Sequence, residues 1–239
     1  MNTHRKNATI VGVLFIIGTI AGVLSVVFTN PIFTESDYLV QVSANENRII
    51  IGALCVLVMG FTLAFVPVVA YPVFKKHDEA LAMGYVVFRG GLETATYIMT
   101  AISFLLLLPL SREFIEAGAP QASYFRTLGA LLRGVAGLPM TVFVFGLGAL
   151  ILYYLLYQSR LVPRWISIWG FIAIFLHLVT GFMIVFGWAT EDSLWVSLMN
   201  LPIFLQEMVM AVWLIVKGFD LSTMTPLNAK TNLELKDRK

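Results

Sequence analysis

Three ionisable side chains lie inside stretches of sequence that are otherwise apolar enough to cross a membrane. Arg89 and Glu93 are four residues apart in one such stretch, and Glu207 lies in another. Residues four apart share one face of an α-helix, so Arg89 and Glu93 can form an ion pair. An ionised side chain near the bilayer centre is penalised by about 2.5–3.5 kcal/mol, and it therefore faces a protein interior or a water-filled cavity. Either these groups fix the helices by pairing, or they bind a cation, a proton or a polar head group.

The polar positions around Arg89 continue along the same predicted helix. Thr96, Thr100 and Ser103 follow Glu93 at steps of three, four and three residues. This is the spacing of one helix face. The sequence therefore predicts a polar stripe, from Arg89 to Ser103, that faces other helices.

Two more polar side chains are predicted close to this level of the membrane. With a rise of about 1.5 Å per residue, Arg89, Glu93, His177 and Glu207 all lie roughly 12–18 Å from the cytoplasmic ends of their helices. Asn200 lies one heptad before Glu207 and shares its face. These five residues are our candidate ligand-binding residues. A histidine in such a position is more often a hydrogen-bonded core residue, and a proton relay or a ligand-binding role is the alternative for His177.

The composition assigns the chain to the integral membrane proteins. Of its 239 residues, 59% are hydrophobic and 13% are charged, whereas soluble domains have roughly 25% charged residues. The net charge is +2, and the basic residues form no patch, which excludes a nucleic-acid partner. The one cysteine, Cys55, excludes an intrachain disulfide. The histidine and the two carboxylates lack helical metal-ligand spacing, so we predict no metal and no cofactor.

Six apolar segments predict an all-α bundle of six transmembrane helices, because about 20 apolar residues cross a bilayer. The bundle forms one domain, residues 1–221, and residues 222–239 form a polar cytoplasmic tail. Gly134, Gly137 and Pro139 predict a bend or a late start in the fourth span. The predicted spans are residues 9–28, 49–73, 81–110, 128–157, 165–187 and 194–216.

The lysines and arginines predict how the bundle is oriented. With a cytoplasmic N-terminus, the inside segments hold eleven basic residues, whereas the outside loops hold Arg48, Arg112 and Arg126. Cytoplasmic loops of membrane proteins are enriched in basic residues. We therefore predict that the N-terminus and the C-terminus are both cytoplasmic.

The turn before the fifth span carries a motif, because residues 159–165 read Ser-Arg-Leu-Val-Pro-Arg-Trp. Together with Arg89, Glu93 and the run from Glu207 to Phe219, it resembles the bacterial and archaeal membrane family catalogued as domain of unknown function 4386. The resemblance covers about Arg5 to Phe219. It implies a multi-pass protein of the cytoplasmic membrane of a prokaryote, and it implies no activity.

Within this turn, Arg160, Pro163 and Arg164 are predicted to have a structural and topological role. Proline is favoured at the first turn of a helix, so Pro163 would start the fifth span. The two arginines would meet anionic lipid at the cytoplasmic surface.

Three functions remain open at this point. The first is binding or transport of a small hydrophobic or cationic molecule at the mid-membrane polar cluster. The second is an accessory or sensor role with a purely structural charge cluster, in which a membrane protein partner or a second copy of the chain carries the function. The third is an intramembrane enzyme acting on a lipid or quinone, with a carboxylate and His177 as acid and base. The chain holds no Gly-x-Ser-x-Gly or phosphate-binding glycine motif, so we name no catalytic residue.

The orientation can be tested with reporter fusions. We expect fusions after residue 76 and after residue 220 to report the cytoplasm, and fusions near residues 36 and 115 to report the other side. Glu93→Gln and Glu207→Gln should leave this pattern unchanged. Inverted signals at these four sites would refute the predicted topology.

Overall fold

The computed structural model describes residues 3–117, 122–136, 139–191 and 193–220, which form helices and loops without a strand. Its helices are α1 (Thr3–Phe33), α2 (Tyr38–Ala44), α3 (Glu46–Phe74), α4 (Glu79–Tyr85), α5 (Glu93–Ala117), α6 (Ala122–Ala136), α7 (Pro139–Ser159), α8 (Arg164–Val185) and α9 (Leu194–Val216). A π-helical segment, Val86–Leu92, joins α4 to α5 without a break. The fold class is therefore all-α, as predicted. The predicted tail, residues 222–239, lies outside the described residues.

Six helical stretches are long and apolar enough to cross a membrane. Five of them coincide with predicted spans: the first three are longer at both ends, the fifth runs from Arg164 to Val185, and the sixth has the predicted bounds. The fourth runs from Met140 to Ser159, so it begins later than residue 128, at the late start that Gly134, Gly137 and Pro139 predicted. The predicted segment combined the end of α6 with α7. Proline is favoured at the first position of a helix, and Pro139 is the first residue of α7.

Helix α6 is a separate amphipathic helix that packs against α5. Its Arg126 donates a hydrogen bond of 2.8 Å to Asp37. The guanidinium of Arg133 lies 4.9 Å from the ring centre of Tyr38 and 5.2 Å from that of Phe33. Arg133 lies within residues 128–157, the predicted fourth span. In the structure it instead holds α6 against the first connection of the bundle.

The six long helices pack as two halves. In one half α1 packs against α3 and α3 against α5, and in the other α7 packs against α8 and α8 against α9. The halves meet where α1 contacts α9, and where α4 and the π segment contact α7. The packing therefore leaves two seams between the halves, one beside α1 and α9 and one beside α5 and α7.

The halves are held together mainly at one end of the bundle. This is the basic end, where α1 begins, α3 connects to α4, α7 connects to α8 and α9 ends. Here one apolar cluster contains buried residues of both halves, among them Phe15, Phe74, Tyr153 and Leu214. The apolar cluster at the opposite end contains buried residues of α1, α2, α3, α5 and their loops, and none of α7 to α9 among the described residues.

A side-chain clamp reinforces the basic end. Arg5 of α1 donates hydrogen bonds of 2.6 Å each to the carbonyl oxygens of Val216 and Lys217 at the end of α9. The last carbonyls of a helix have no partner within the helix, and basic groups there are stabilising. Further along, α1 and α9 cross so closely that a Cβ on Gly12 would lie 2.5 Å from the carbonyl oxygen of Ala211.

The crossing of α1 and α9 predicts that Gly12→Ala is destabilising. The added methyl would push apart two backbones that close the bundle, and we expect the free energy of unfolding to fall by about 1–3 kcal/mol. Thermal unfolding in detergent measures the change. Gly134→Ala is the matched control, because its Cβ would meet no atom within 4 Å. Equal destabilisation by the two changes would contradict close packing at Gly12.

Candidate functional site

A buried arginine connects two helices from different halves of the bundle. Arg89 Nη1 donates hydrogen bonds of 2.9 and 3.0 Å to the two carboxylate oxygens of Glu93, one turn further along. Its Nη2 lies 3.2 Å from Oε1 of Glu207 on α9. Side chains are 2% exposed for Arg89, 0% for Glu93 and 15% for Glu207. Both pairings considered from the sequence therefore occur together, around one guanidinium.

Aromatic rings enclose the charged groups. The Arg89 guanidinium lies 4.7 Å from the ring centre of Phe145 and 5.6 Å from that of Phe15. A cation is attracted to the face of an aromatic ring, and more strongly where water is excluded. The hydroxyl of Tyr97 donates a hydrogen bond of 2.7 Å to Oε1 of Glu93. Glu93 thus has three hydrogen bonds, and it needs no further partner.

The π segment places Arg89 between its neighbours. A π-helix has a wider turn than an α-helix and occurs most often at functional sites. Two glycines allow close contacts around it. A Cβ on Gly90 would lie 3.5 Å from the carbonyl oxygen of Ala64 on α3, and one on Gly148 of α7 would lie 3.4 Å from the backbone nitrogen of Arg89. The segment is therefore packed between α3 and α7, one helix from each half.

The polar stripe predicted after Glu93 faces other helices at Ser103, which is buried, and is half-buried at Thr96 and Thr100. Thr100 lines a cavity as expected, but the other lining residues of α5 are Tyr97 and Phe104. Thr96 donates its hydroxyl hydrogen bond to the carbonyl oxygen of Glu93. The predicted stripe contained only polar residues, but the face of α5 that borders the cavity also contains Tyr97, which lies one turn after Glu93.

His177 and Asn200 form a second polar group. His177 Nδ1 lies 2.7 Å from Oδ1 of Asn200, and the hydroxyl of Thr180 is 3.3 Å from the same oxygen. The His177 ring stands edge-on to the ring of Phe145, with the ring centres 5.0 Å apart. Phe145 thus separates this group from the Arg89 guanidinium. The five candidate residues therefore form two adjacent clusters, Arg89–Glu93–Glu207 and His177–Asn200.

A cavity of about 640 Å³ adjoins both clusters. Arg89 and Glu207 lie at its deep end, and His177 lies on its wall. Its walls come from both halves, and one of them is the outer part of α1, including Gly18 and Gly22. A second cavity, about 320 Å³, shares Tyr97, Thr100 and Thr141 with the first and extends past Asn200 to Glu191. The polar groups thus border a space between the halves that continues toward the opposite end of the bundle.

Several residues of the site were not predicted from the sequence. Tyr97 and Phe145 read as ordinary members of apolar spans, although Tyr97 lies four residues after Glu93. Gln206, next to Glu207, accepts a hydrogen bond of 2.7 Å from the Tyr153 hydroxyl and donates one of 3.0 Å to the carbonyl oxygen of Ile166. It connects α9 to α7 and α8. A glutamine within an apolar span is the sequence signal that could have identified it.

The turn containing Arg160, Pro163 and Arg164 lies at the basic end, away from these clusters. Pro163 directly precedes the first residue of α8, which is Arg164. Among the described residues, no three His, Cys, Asp or Glu side chains come together as a set of metal ligands.

The burial of Arg89 predicts a large effect of its removal. Arg89→Ala would leave Glu93 and Glu207 without their shared counter-charge, and we expect the free energy of unfolding to fall by about 3–5 kcal/mol. The exposed pair Arg126–Asp37 is the control, because its side chains are 58% and 59% exposed. Arg126→Ala should change stability by about 1 kcal/mol or less.

The link between the halves can be tested with a double-mutant cycle. Arg89→Ala and Glu207→Ala should be non-additive, because each removes the partner of the other. Thermal unfolding of the two single variants and the double variant gives the coupling. Additive effects would contradict the contact between Arg89 and Glu207.

Comparison with known proteins is consistent with this architecture. Residues 10–218 match the model of the family described as Domain of unknown function (DUF4386). The match includes all five candidate residues and the turn at Arg160. No curated protein and no solved structure matches the chain. Since the matched segment is most of the chain, the protein belongs to the DUF4386 family of multi-pass membrane proteins.

Proposed function

We propose that this protein binds and transports a small hydrophobic or cationic molecule in the cavity beside Arg89 and Glu207. The observation that carries the proposal is that an intramembrane carboxylate borders a cavity large enough for a small molecule. Binding sites are typically concave and mostly apolar, with a few polar groups that fix the ligand. The cavity between the halves has these properties.

The charges favour a cationic ligand. With all three groups ionised, Arg89 contributes one positive charge, and Glu93 and Glu207 contribute two negative charges. Glu93 is fully buried and has three hydrogen bonds. Glu207 is partly exposed, and its one hydrogen bond among the described residues is to Arg89 through Oε1. The excess negative charge therefore belongs to Glu207, at the deep end of the cavity, where a cation or a proton would neutralise it.

The shape of the bundle supports transport as well as binding. Glu207 lies thirteen residues after the start of α9, roughly 20 Å from the opposite end. The halves pack tightly at the basic end, and toward the opposite end both of them line the cavity. In many transporters the ligand binds near the bilayer midplane, and two bundles rock about it to open alternate sides. Closing the cavity and separating the basic end would move a ligand of Glu207 across the membrane.

The predicted orientation completes this proposal. The basic end would face the cytoplasm of a prokaryote, and the cavity would extend toward the outside. The ligand would enter from the outer leaflet or the outer solution, and the protein would reside in the cytoplasmic membrane.

An accessory or sensor role is the second candidate, and one observation favours it. Both carboxylate oxygens of Glu93 accept hydrogen bonds from Nη1 of Arg89, so Glu93 has its counter-charge without a ligand. Paired charges of this kind can serve only to fix helix register. An enzyme acting on a lipid or quinone has less support, because the ring nitrogen of His177 contacts the amide of Asn200, and no carboxylate, among the described residues.

The proposed function predicts that Glu207→Gln weakens binding of a lipophilic cation. We suggest tetraphenylphosphonium as the probe, with equilibrium binding to the purified protein and uptake into proteoliposomes as readouts. A hydrogen bond or ion pair to a charged group is worth about 1.5–3 kcal/mol, so the affinity should fall roughly 10–100-fold. Mass spectrometry of the gently purified protein should also find a small molecule that the variant lacks.

The matched control is Glu79→Gln, which makes the same change in charge at an exposed position of the basic end. It should bind the probe like the original protein. Equal loss in the two variants would contradict a site at Glu207. Absence of both probe binding and a retained molecule, in a protein that is destabilised by Arg89→Ala, would favour the accessory role.

A further inference from the structure

A third cavity, of about 620 Å³, lies at the basic end and is separate from the site at Glu207. It is formed by the turn between α7 and α8 together with the end of α9 and the residues that follow it. Three cationic side chains line it: Arg160, Arg164 and Lys217. Asp220 is the one acidic side chain in its lining. The formal charge of the lining is therefore three positive charges against one negative charge.

The backbone of this turn is fixed by burial and hydrogen bonds. Leu161 and Val162 are 0% and 1% exposed, and they anchor the turn in the apolar cluster of the basic end. The backbone nitrogen of Asp220 donates a hydrogen bond of 2.9 Å to the carbonyl oxygen of Leu161, so the chain after α9 is tied to the turn. The cationic side chains are thus presented by a rigid framework.

Arg160 has an unusual backbone conformation. Its φ is 55°, and it is the one non-glycine residue with a positive φ among the described residues. An arginine has no conformational advantage in this region, where glycine, asparagine or aspartate are favoured. Strained residues persist where the surroundings impose them, and they are concentrated at functional sites. The strain sharpens the turn between the buried Ser159 and the buried Leu161, and it leaves the Arg160 side chain exposed beside the cavity.

The cavity is also amphipathic. Pro163, Trp213 and Phe219 form apolar parts of its lining. On the same end of α8, the rings of Trp165 and Trp169 are stacked with their centres 6.3 Å apart, and Trp165 is half exposed. Tryptophans of membrane proteins concentrate at the level of the lipid head groups. The cationic groups therefore lie at the depth where a phospholipid would present its phosphate.

We propose that this cavity is a specific binding site for the phosphate-bearing head group of an anionic phospholipid. Arg160, Arg164 and Lys217 would bind the phosphate oxygens, and the apolar lining would contact the glycerol and upper acyl chain. Basic pockets between transmembrane helices bind anionic lipid head groups in this way. The site does not depend on the ligand of the Glu207 cavity. It gives the Ser-Arg-Leu-Val-Pro-Arg turn a ligand of its own, beyond a general attraction to the membrane.

The test compares two variants that each remove two positive charges from the basic end. Arg160→Gln/Arg164→Gln changes the cavity, and Lys75→Gln/Lys76→Gln changes two exposed lysines outside it. The original protein and the two variants are purified into neutral micelles and titrated with phosphatidylglycerol or with phosphatidylcholine. Native mass spectrometry counts the bound lipids, and thermal unfolding measures stabilisation. A basic side chain near an anionic lipid contributes about a factor of five, so the cavity variant should bind phosphatidylglycerol roughly 30-fold more weakly.

The expected result is one tightly bound phosphatidylglycerol in the original protein and in the lysine variant, and none in the cavity variant. Equal weakening in both variants would overturn the proposal in favour of general surface attraction, and so would equal binding of phosphatidylcholine. Inorganic phosphate is titrated separately. Stabilisation by phosphate alone would keep the phosphate site but assign it to a soluble ligand. If the cavity variant does not fold, Lys217→Gln, compared with Lys75→Gln, makes the same distinction with one charge.

Discussion

A guanidinium buried in the middle of a membrane bundle is the constraint on which this structure depends. Arg89 is nearly inaccessible, and no solvent or lipid can replace the partners that an ionised group requires there. The protein supplies two carboxylates and two aromatic rings. These partners come from the same helix, from α9, from α1 and from α7. One charge therefore imposes the relative positions of helices from both halves of the bundle.

The same constraint accounts for the difference between the two ends. On the side of Arg89 toward the basic end, the halves share one apolar cluster and the Arg5 clamp. On the other side, their contacts give way to a cavity lined by hydroxyls, an imidazole and an amide. Polar groups of this kind are tolerated inside a membrane when they bond to one another or border water. Here His177, Thr180 and Asn200 form hydrogen bonds with one another, and the cavity beside them has room for water. The charge cluster is thus the boundary between a packed core and a cavity lined by polar groups.

The sequence predicted the features that follow from composition and from single-helix geometry. Long apolar runs identified the spans, and the spacing of Arg89 and Glu93 identified their pairing. Counting residues from the helix ends placed Glu207 at the level of Arg89, where it bonds. Features that depend on neighbouring helices were missed. The π segment is stabilised by α3 and α7, so its local sequence does not specify it. Tyr97 was overlooked because its ring is apolar, and only its position beside Glu93 gives the hydroxyl a partner. The start of the fourth span was misplaced because α6 is apolar on one side, and Pro139 was the better guide.

The contact of α1 with α9 has a consequence for how the chain assembles. Arg5 and Gly12 belong to α1, which is synthesised before α9, whereas their partners, Ala211, Val216 and Lys217, lie in α9 and directly after it. Glu207, the second counter-charge of Arg89, also arrives with α9. Until then the Arg89 guanidinium is paired with Glu93 alone, and the Arg5 side chain of α1 lacks the carbonyl oxygens that it binds in the complete bundle. Contacts between residues this far apart in sequence form late and slowly. The insertion of α9 is therefore the step that joins the two halves through α1 and completes the cavity beside Glu207.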